Sequence, residues 1–168
     1  MKPVYPILCA AALGLAATGL GARDAPVMHT QEMMTLDTSQ RLAQAALEAC
    51  REEGVNVAVT VVDRGGHPQV VLRDTLAMDV TLEISRQKAY TALSFNGPLS
   101  EMEERFTRPF QVGKVDGLVF SAGGLPVHAG GRILGAVGVS GAPSGETDEE
   151  CARAGIEAVR MDLEMASD

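Results

Sequence analysis

Three histidines are this chain's first candidates for metal ligation or proton transfer. His29 lies near the N-terminus, His67 follows Arg64-Gly65-Gly66, and His128 sits between Gly123-Gly124 and Gly130-Gly131. His128 is the best placed as a ligand, because glycine lets backbone approach a flat ligand or a neighbouring subunit closely. The same glycines also suit plain tight turns, which is the favoured reading on the residues alone. Arg86, Lys88 and Tyr90 share one stretch. They could meet a ligand's carboxylates and give it an aromatic wall; the alternative is surface salt bridges and a half-buried tyrosine. Glu101, Glu103 and Glu104 could gather a hard cation, or form a solvated helix face. Ser140, in Gly138-Val139-Ser140-Gly141, has no evident His or Asp partner and reads as a turn serine. The sequence carries no H-E-x-x-H, C-x-x-C, Walker or G-x-S-x-G pattern, so no catalytic residue is assigned. Its methionines, among them Met33, Met34, Met78, Met102, Met161 and Met165, read as gap-fillers rather than axial ligands.

Hydrophobic spacing gives the elements that must hold these residues. Leu42, Ala43, Ala46, Leu47 and Cys50 make an apolar stripe on a helix capped by Asp37 and ended by Gly54. Val55 to Asp63 alternates as a strand, Arg64 to His67 turns, and Pro68 to Arg73 returns. Asp79 can cap a second helix, Val80 to Phe95, stopped by Asn96-Gly97-Pro98. Ser100 and Glu103 suggest a short helix to Phe106, and Pro109 and Gly113 bound a loop. Strands follow at Leu118–Ser121, Pro126–Ala129 and Arg132–Ser140, the last two joined by Gly130-Gly131. A last helix, capped by Thr147, runs from about Asp148 to Met165. The order α-β-β-α-α-β-β-β-α predicts one α+β domain over 35–168, with a mostly antiparallel five-stranded central sheet and flanking helices.

Composition narrows the function. The chain has 168 residues, 46% of them hydrophobic, which excludes wholesale disorder. A net charge of -8 and 4% aromatics argue against a nucleic-acid partner, which would need a basic face and stacking rings. Lys2 precedes an uncharged run from Pro3 to Ala22, with a core at Ile7–Leu20 too short for a comfortable membrane span. Residues 1–22 therefore read as a cleaved signal peptide and 23–34 as a flexible lead-in, with no stable membrane insertion afterwards; an uncleaved anchor is the alternative. Cleavage would remove Cys9 and leave Cys50 and Cys151 in an oxidising compartment. They are a disulfide candidate; two buried thiols on helix faces are the other reading.

Val61-Val62-Asp63-Arg64-Gly65-Gly66-His67, Lys88-Ala89-Tyr90-Thr91-Ala92 with Phe95, and Gly123-Gly124-Leu125-Pro126 leading to Gly135-Ala136-Val137-Gly138-Val139-Ser140-Gly141 recur in this order. The set resembles the GlcG/HbpS family of heme-binding proteins, also seen as the C-terminal domain of PduO-type proteins. Its ending through Ala142-Pro143 is similar to the secreted branch. The resemblance covers about Leu36 to Ala158. It implies an α+β domain, homo-oligomers, and heme or a related tetrapyrrole as cofactor. Under it, Lys88 or Arg86 would meet propionates, His128 or Tyr90 would approach iron, and Gly123 and Gly124 would line the pocket. The function it implies is a periplasmic or secreted heme binder for binding, storage or sensing. Competing readings are heme degradation, an accessory to a neighbouring oxidoreductase, and an oligomeric structural subunit; a sensor or oxidoreductase partner is left unnamed.

Overall fold

In the computed structural model, which describes residues 27–104, 106 and 115–167, the first helix begins where Thr35 Oγ1 accepts from the N–H of Thr38 at 3.2 Å. Thr35 takes the capping role expected of Asp37, which instead supplies a favourable negative charge in the first turn of α1 (Leu36–Glu52). The stripe Leu42, Ala43, Ala46, Leu47 and Cys50 is buried. Gly54, at φ +75, closes the helix, with Val55 N–H returning to Cys50 O.

Strands β1 (Ala58–Asp63) and β2 (Pro68–Arg73) form the hairpin. Asp63 Oδ1 accepts from the N–H groups of Gly65 at 2.8 Å and His67 at 2.9 Å, so one carboxylate shapes the turn. Helix α2 (Val80–Phe95) ends at Asn96, whose φ of 53 places it in the left-handed region. Asp79 makes no capping hydrogen bond, against expectation. Strands β3 (Gly124–Ala129) and β4 (Arg132–Ser140) follow, joined by Gly130 and Gly131 with φ +54 and +72, as a type I′ hairpin requires. Helix α3 (Gly145–Ser167) starts earlier than expected, capped by Ser144 Oγ on the N–H of Thr147.

The sheet has four antiparallel strands in the order β2-β1-β4-β3. The fifth strand expected at Leu118–Ser121 is not formed. Its backbone is held by side chains instead: Val119 N–H donates to Thr91 Oγ1 and Ala122 N–H to Glu103 Oε1. The short helix expected from Ser100 to Phe106 reduces to one 3-10 turn, Leu99–Glu101. Both prolines that fall in strands, Pro68 and Pro126, lie on the edge strands β2 and β3, where a missing N–H costs no ladder bond.

Helices α1 and α3 cover one face of the sheet, packing on Val57, Val59, Val61, Val127, Val137 and Val139. Helix α2 covers the other, over Val62 and Ala136. With both faces covered, β4 is apolar almost throughout. A Cβ on Gly138 would overlap Ser85 O and lie 2.5 Å from Ala89 N, so α2 rests on bare β4 backbone. This is why the sheet-facing side of α2 is small: Thr81, Ser85, Ala89 and Ala92. Thr60 and Ser85 hydroxyls hydrogen-bond across that contact at 2.8 Å. Among the described residues no helix is long and apolar enough to cross a membrane.

The chain divides into Met1–Thr30 and Gln31–Asp168. In the first unit, residues 27–30 are exposed and without regular structure. The expected signal segment 1–22, the start of the lead-in, and the loop between Pro109 and Gly113 lie outside the described residues. The last lead-in residue, Met34, is buried in the α1–α3 core.

Two cross-links tie α1 down. Cys50 and Cys151 form a disulfide between α1 and α3, with Sγ atoms 2.12 Å and Cα atoms 5.4 Å apart. Alkylation with and without reduction, read by intact mass, should differ by two thiols. Cys50→Ala with Cys151→Ala should lower stability by about 2–5 kcal/mol, since the bridge closes a long loop; equal masses would show the thiols unpaired. Arg51 clamps Asp74 with Nε–Oδ2 at 2.7 Å and Nη2–Oδ1 at 3.1 Å, and holds that carboxyl below its ordinary range. A depressed carboxyl contributes stability above its unfolded value and loses it as pH falls through the folded one. Asp74→Asn should therefore lower Tm at neutral pH, and the gap to the parent should close below the ordinary aspartate value of 3.8. A gap unchanged in acid would show that the charge does not matter.

Candidate functional site

The six candidate residues fall on three sites. On the buried side of α2, Lys88 is 3% exposed and its Nζ donates to Asp148 Oδ2 at 2.9 Å. Asp148 Oδ1 accepts from the N–H of Ala142 at 2.9 Å. Burial pushes the Asp148 carboxyl above its ordinary range, opposed by the Lys88 charge and these hydrogen bonds. Gly123 and Gly124 pass directly over this pair. A Cβ on Gly123, at φ +117, would lie 2.7 Å from Lys88 Nζ and from Asp148 Cβ, and one on Gly124 would lie 2.6 Å from Lys88 O. The close approach that these glycines allow is thus taken up by the protein's own α2 and α3.

On the exposed side of α2, Arg86 pairs with Glu83 at 2.6 Å and holds that carboxyl below its ordinary range. Tyr90 is 39% exposed and lies against Gly66 of the β1–β2 turn. Neither Arg86 nor Tyr90 shares a pocket with His128 or Lys88 among the described pockets.

His128, on β3, forms the third site. It lines a pocket of about 320 Å³ with Leu125, Pro126, Ile156, Arg153 and the end of α2 at Asn96. Its Nε2 lies 2.8 Å from Asn96 Oδ1. An Nε2–H donating to that oxygen leaves Nδ1 with the lone pair, the arrangement of a neutral imidazole ligand. Arg153, 3.4 Å from Glu149 and largely exposed, adds a cation to the same rim. Glu103 is an acceptor for Ala122 N–H, and no three His, Cys, Asp or Glu side chains among the described residues are placed to hold one metal ion.

Sequence reasoning passed over Asp148, Glu149, Asn96 and Arg153. Glu149 is 5% exposed and accepts from Ser100 N–H, Ser100 Oγ–H and Gly123 N–H. A signal existed for Asp148. It lies on the buried stripe with Cys151, Ala152, Gly155 and Val159, as Lys88 lies on that with Thr81, Ser85 and Ala92. A charge on each of two buried stripes needs a partner. Lys88→Met, which strips Asp148 of its cation, should cost about 3–5 kcal/mol in denaturant unfolding. Lys88→Met with Asp148→Asn should cost less than the two singles summed; additive losses would show no direct coupling.

Known proteins share this architecture. A family model described as "Haem degrading protein HbpS-like" matches residues 34–157. A crystal structure of a double mutant of HbpS from Streptomyces reticuli, with two glutamates changed to aspartate, superposes with a TM-score of 0.75 at 37% identity, covering 89% of this chain and 99% of that one. The structure of a PduOC:heme complex gives a TM-score of 0.68 at 26% identity, covering 75% of this chain and 94% of that one. The GlcG protein of Escherichia coli K12 is 34% identical over 107 residues, which is 61% of this chain and 80% of GlcG. With the family model spanning well over half of its length, and with the Lys88–Ala92 and Gly135–Gly141 segments that resemble the same group, the chain belongs to the HbpS-like, GlcG/HbpS family.

Proposed function

We propose that this protein is an exported heme binder acting in binding, storage or sensing, with its iron ligand at His128. The observation that carries the reading is the His128–Asn96 contact, in which an Nε2–H donated to Asn96 would leave the Nδ1 lone pair to ligate, in a pocket that also holds Arg153. Leu125, Pro126 and Ile156 offer the macrocycle an apolar wall, and Arg153 suits a propionate. Heme would supply the redox-active iron; His128 would offer it a nitrogen, and Asn96 and Arg153 would set the tautomer and the polarity around it. Lys88, committed to Asp148, is outside this arrangement. The family's name and the heme complex of PduOC support heme as the ligand.

About 320 Å³ is at the low end for a small-molecule pocket, and no Phe, Tyr or Trp lines it among the described residues. A second copy of the chain would complete the wall, so the proposed site is shared in a homo-oligomer. The N-terminal segment 1–22 fits export to the periplasm or beyond, where a bridge between Cys50 and Cys151 would persist.

Hemin added to the purified protein should give a saturable Soret shift, and His128→Ala should change the bound spectrum while leaving circular dichroism intact. No saturable shift would sink the heme reading, and an unchanged His128→Ala spectrum would remove His128 as the ligand. The family description also names degradation. Loss of the Soret band with reductant and oxygen, beyond that of free hemin and with catalase present, would establish that activity instead.

A further inference from the structure

Near its N-terminal end, α2 borders another pocket, of about 410 Å³. Met78, Val80 and Ile84 form its apolar side, and Ser140, Lys88 and Asp148 its polar one. Met78 and Val80 are 65% and 55% exposed, apolar surface that a ligand would cover. The volume lies within the range of small-molecule sites, about 300–1,000 Å³.

The polar side has hydrogen-bonding capacity to spare. An ammonium carries three N–H donors. Among the described residues Lys88 uses one of them, toward Asp148 Oδ2. Asp148 has both oxygens engaged, by Lys88 and by Ala142 N–H. The Ser140 hydroxyl makes no hydrogen bond among the described residues, and since no fully buried side-chain polar atom there lacks a partner, it is open to the pocket that Ser140 lines. The pocket therefore presents unspent donors on its polar side, and an acceptor is what a ligand would bring to them.

The charges facing it decide what kind of acceptor. Lys88 is already neutralised by Asp148. The positive end of α3 carries Glu146, Asp148 and Glu149. Glu83 on α2 is spent on Arg86. A carboxylate ligand would enter beside Asp148 with no surplus cation to receive it. A neutral oxygen meets the same donors without that repulsion.

We propose that this pocket is a second ligand site, separate from His128, and that it takes a small neutral carbonyl or hydroxyl compound with a short apolar chain. The oxygen accepts from Lys88 Nζ–H and the Ser140 hydroxyl, and the chain lies on Met78, Val80 and Ile84.

Butanone, butanol and butyrate share a chain length and differ in head group. Titrated into isotope-labelled protein, butanone and butanol should shift the Gly141 and Ala142 amides and the Met78 methyl saturably. Butyrate should bind at least about ten-fold more weakly, a difference of about 1.4 kcal/mol. Ile84→Phe, which fills the pocket, should abolish these shifts. Ser140→Ala, which leaves the ion pair alone, should weaken them by about 2–10-fold. Butyrate binding as tightly as butanol, or no saturable shift with either neutral probe, would overturn the proposal. Hemin binding is read separately by absorbance, so the heme reading and this one can fail independently.

Discussion

Ser85 O occupies the space where a side chain on Gly138 would have to go, so the backbone of α2 lies against the backbone of β4. A central strand covered on both faces leaves no polar edge of its own to water. The helix that covers it at such close range must be small on its inner side, and Thr81, Ser85, Ala89 and Ala92 are. Lys88 falls between two of these small positions. Its four-carbon stem cannot turn toward the sheet and runs sideways, beneath Gly123, to the start of α3. The buried ion pair is thus a consequence of the close contact between helix and strand. Asp148 satisfies an ammonium that the packing would otherwise leave without a counter-charge.

The start of α3 distributes its acids over different neighbours. Asp148 reaches α2 and the backbone of Ala142; Glu149, one residue on, reaches Ser100 and Gly123. Adjacent residues on a helix point about 100° apart, so one helical turn can brace two different segments. Asp148 braces α2 and the stretch after β4, and Glu149 the stretch after α2 and the one before β3. Glu103 and Thr91 complete the support by accepting from Ala122 and Val119 N–H. Side chains here satisfy backbone groups that a fifth strand would have satisfied in a ladder.

That substitution explains what the sequence could and could not disclose. The stripe of α1, the β1–β2 hairpin, the Gly130-Gly131 turn and the bounds of α2 and β4 were legible because each depends on neighbours a few residues away. Leu118–Ser121 has strand composition, but Val119 within it and Ala122 just after it donate to side chains 28 and 19 positions distant. Helix caps were legible as regions but not as residues: Thr35 and Ser144 displaced Asp37 and Thr147 by a few positions. At the sites, Lys88 and His128 stood out by type. Asn96, 32 residues from His128, could not be linked to it by spacing. Asp148 could have been found by asking which acid shares an apolar stripe.

The disulfide spans 101 residues, and it joins the first helix to the last. Strand β1 pairs with β4 as well as with β2, so the centre of the sheet also joins early chain to late. Of the larger contacts, only the two hairpins are local. A nascent chain emerging N-terminus first would therefore carry α1 with its apolar stripe uncovered until α3 had followed it out. Such long-range closure folds slowly, and it cannot begin before β4 and α3 have been made. Truncation before α3 would accordingly leave an incomplete core rather than a shorter domain.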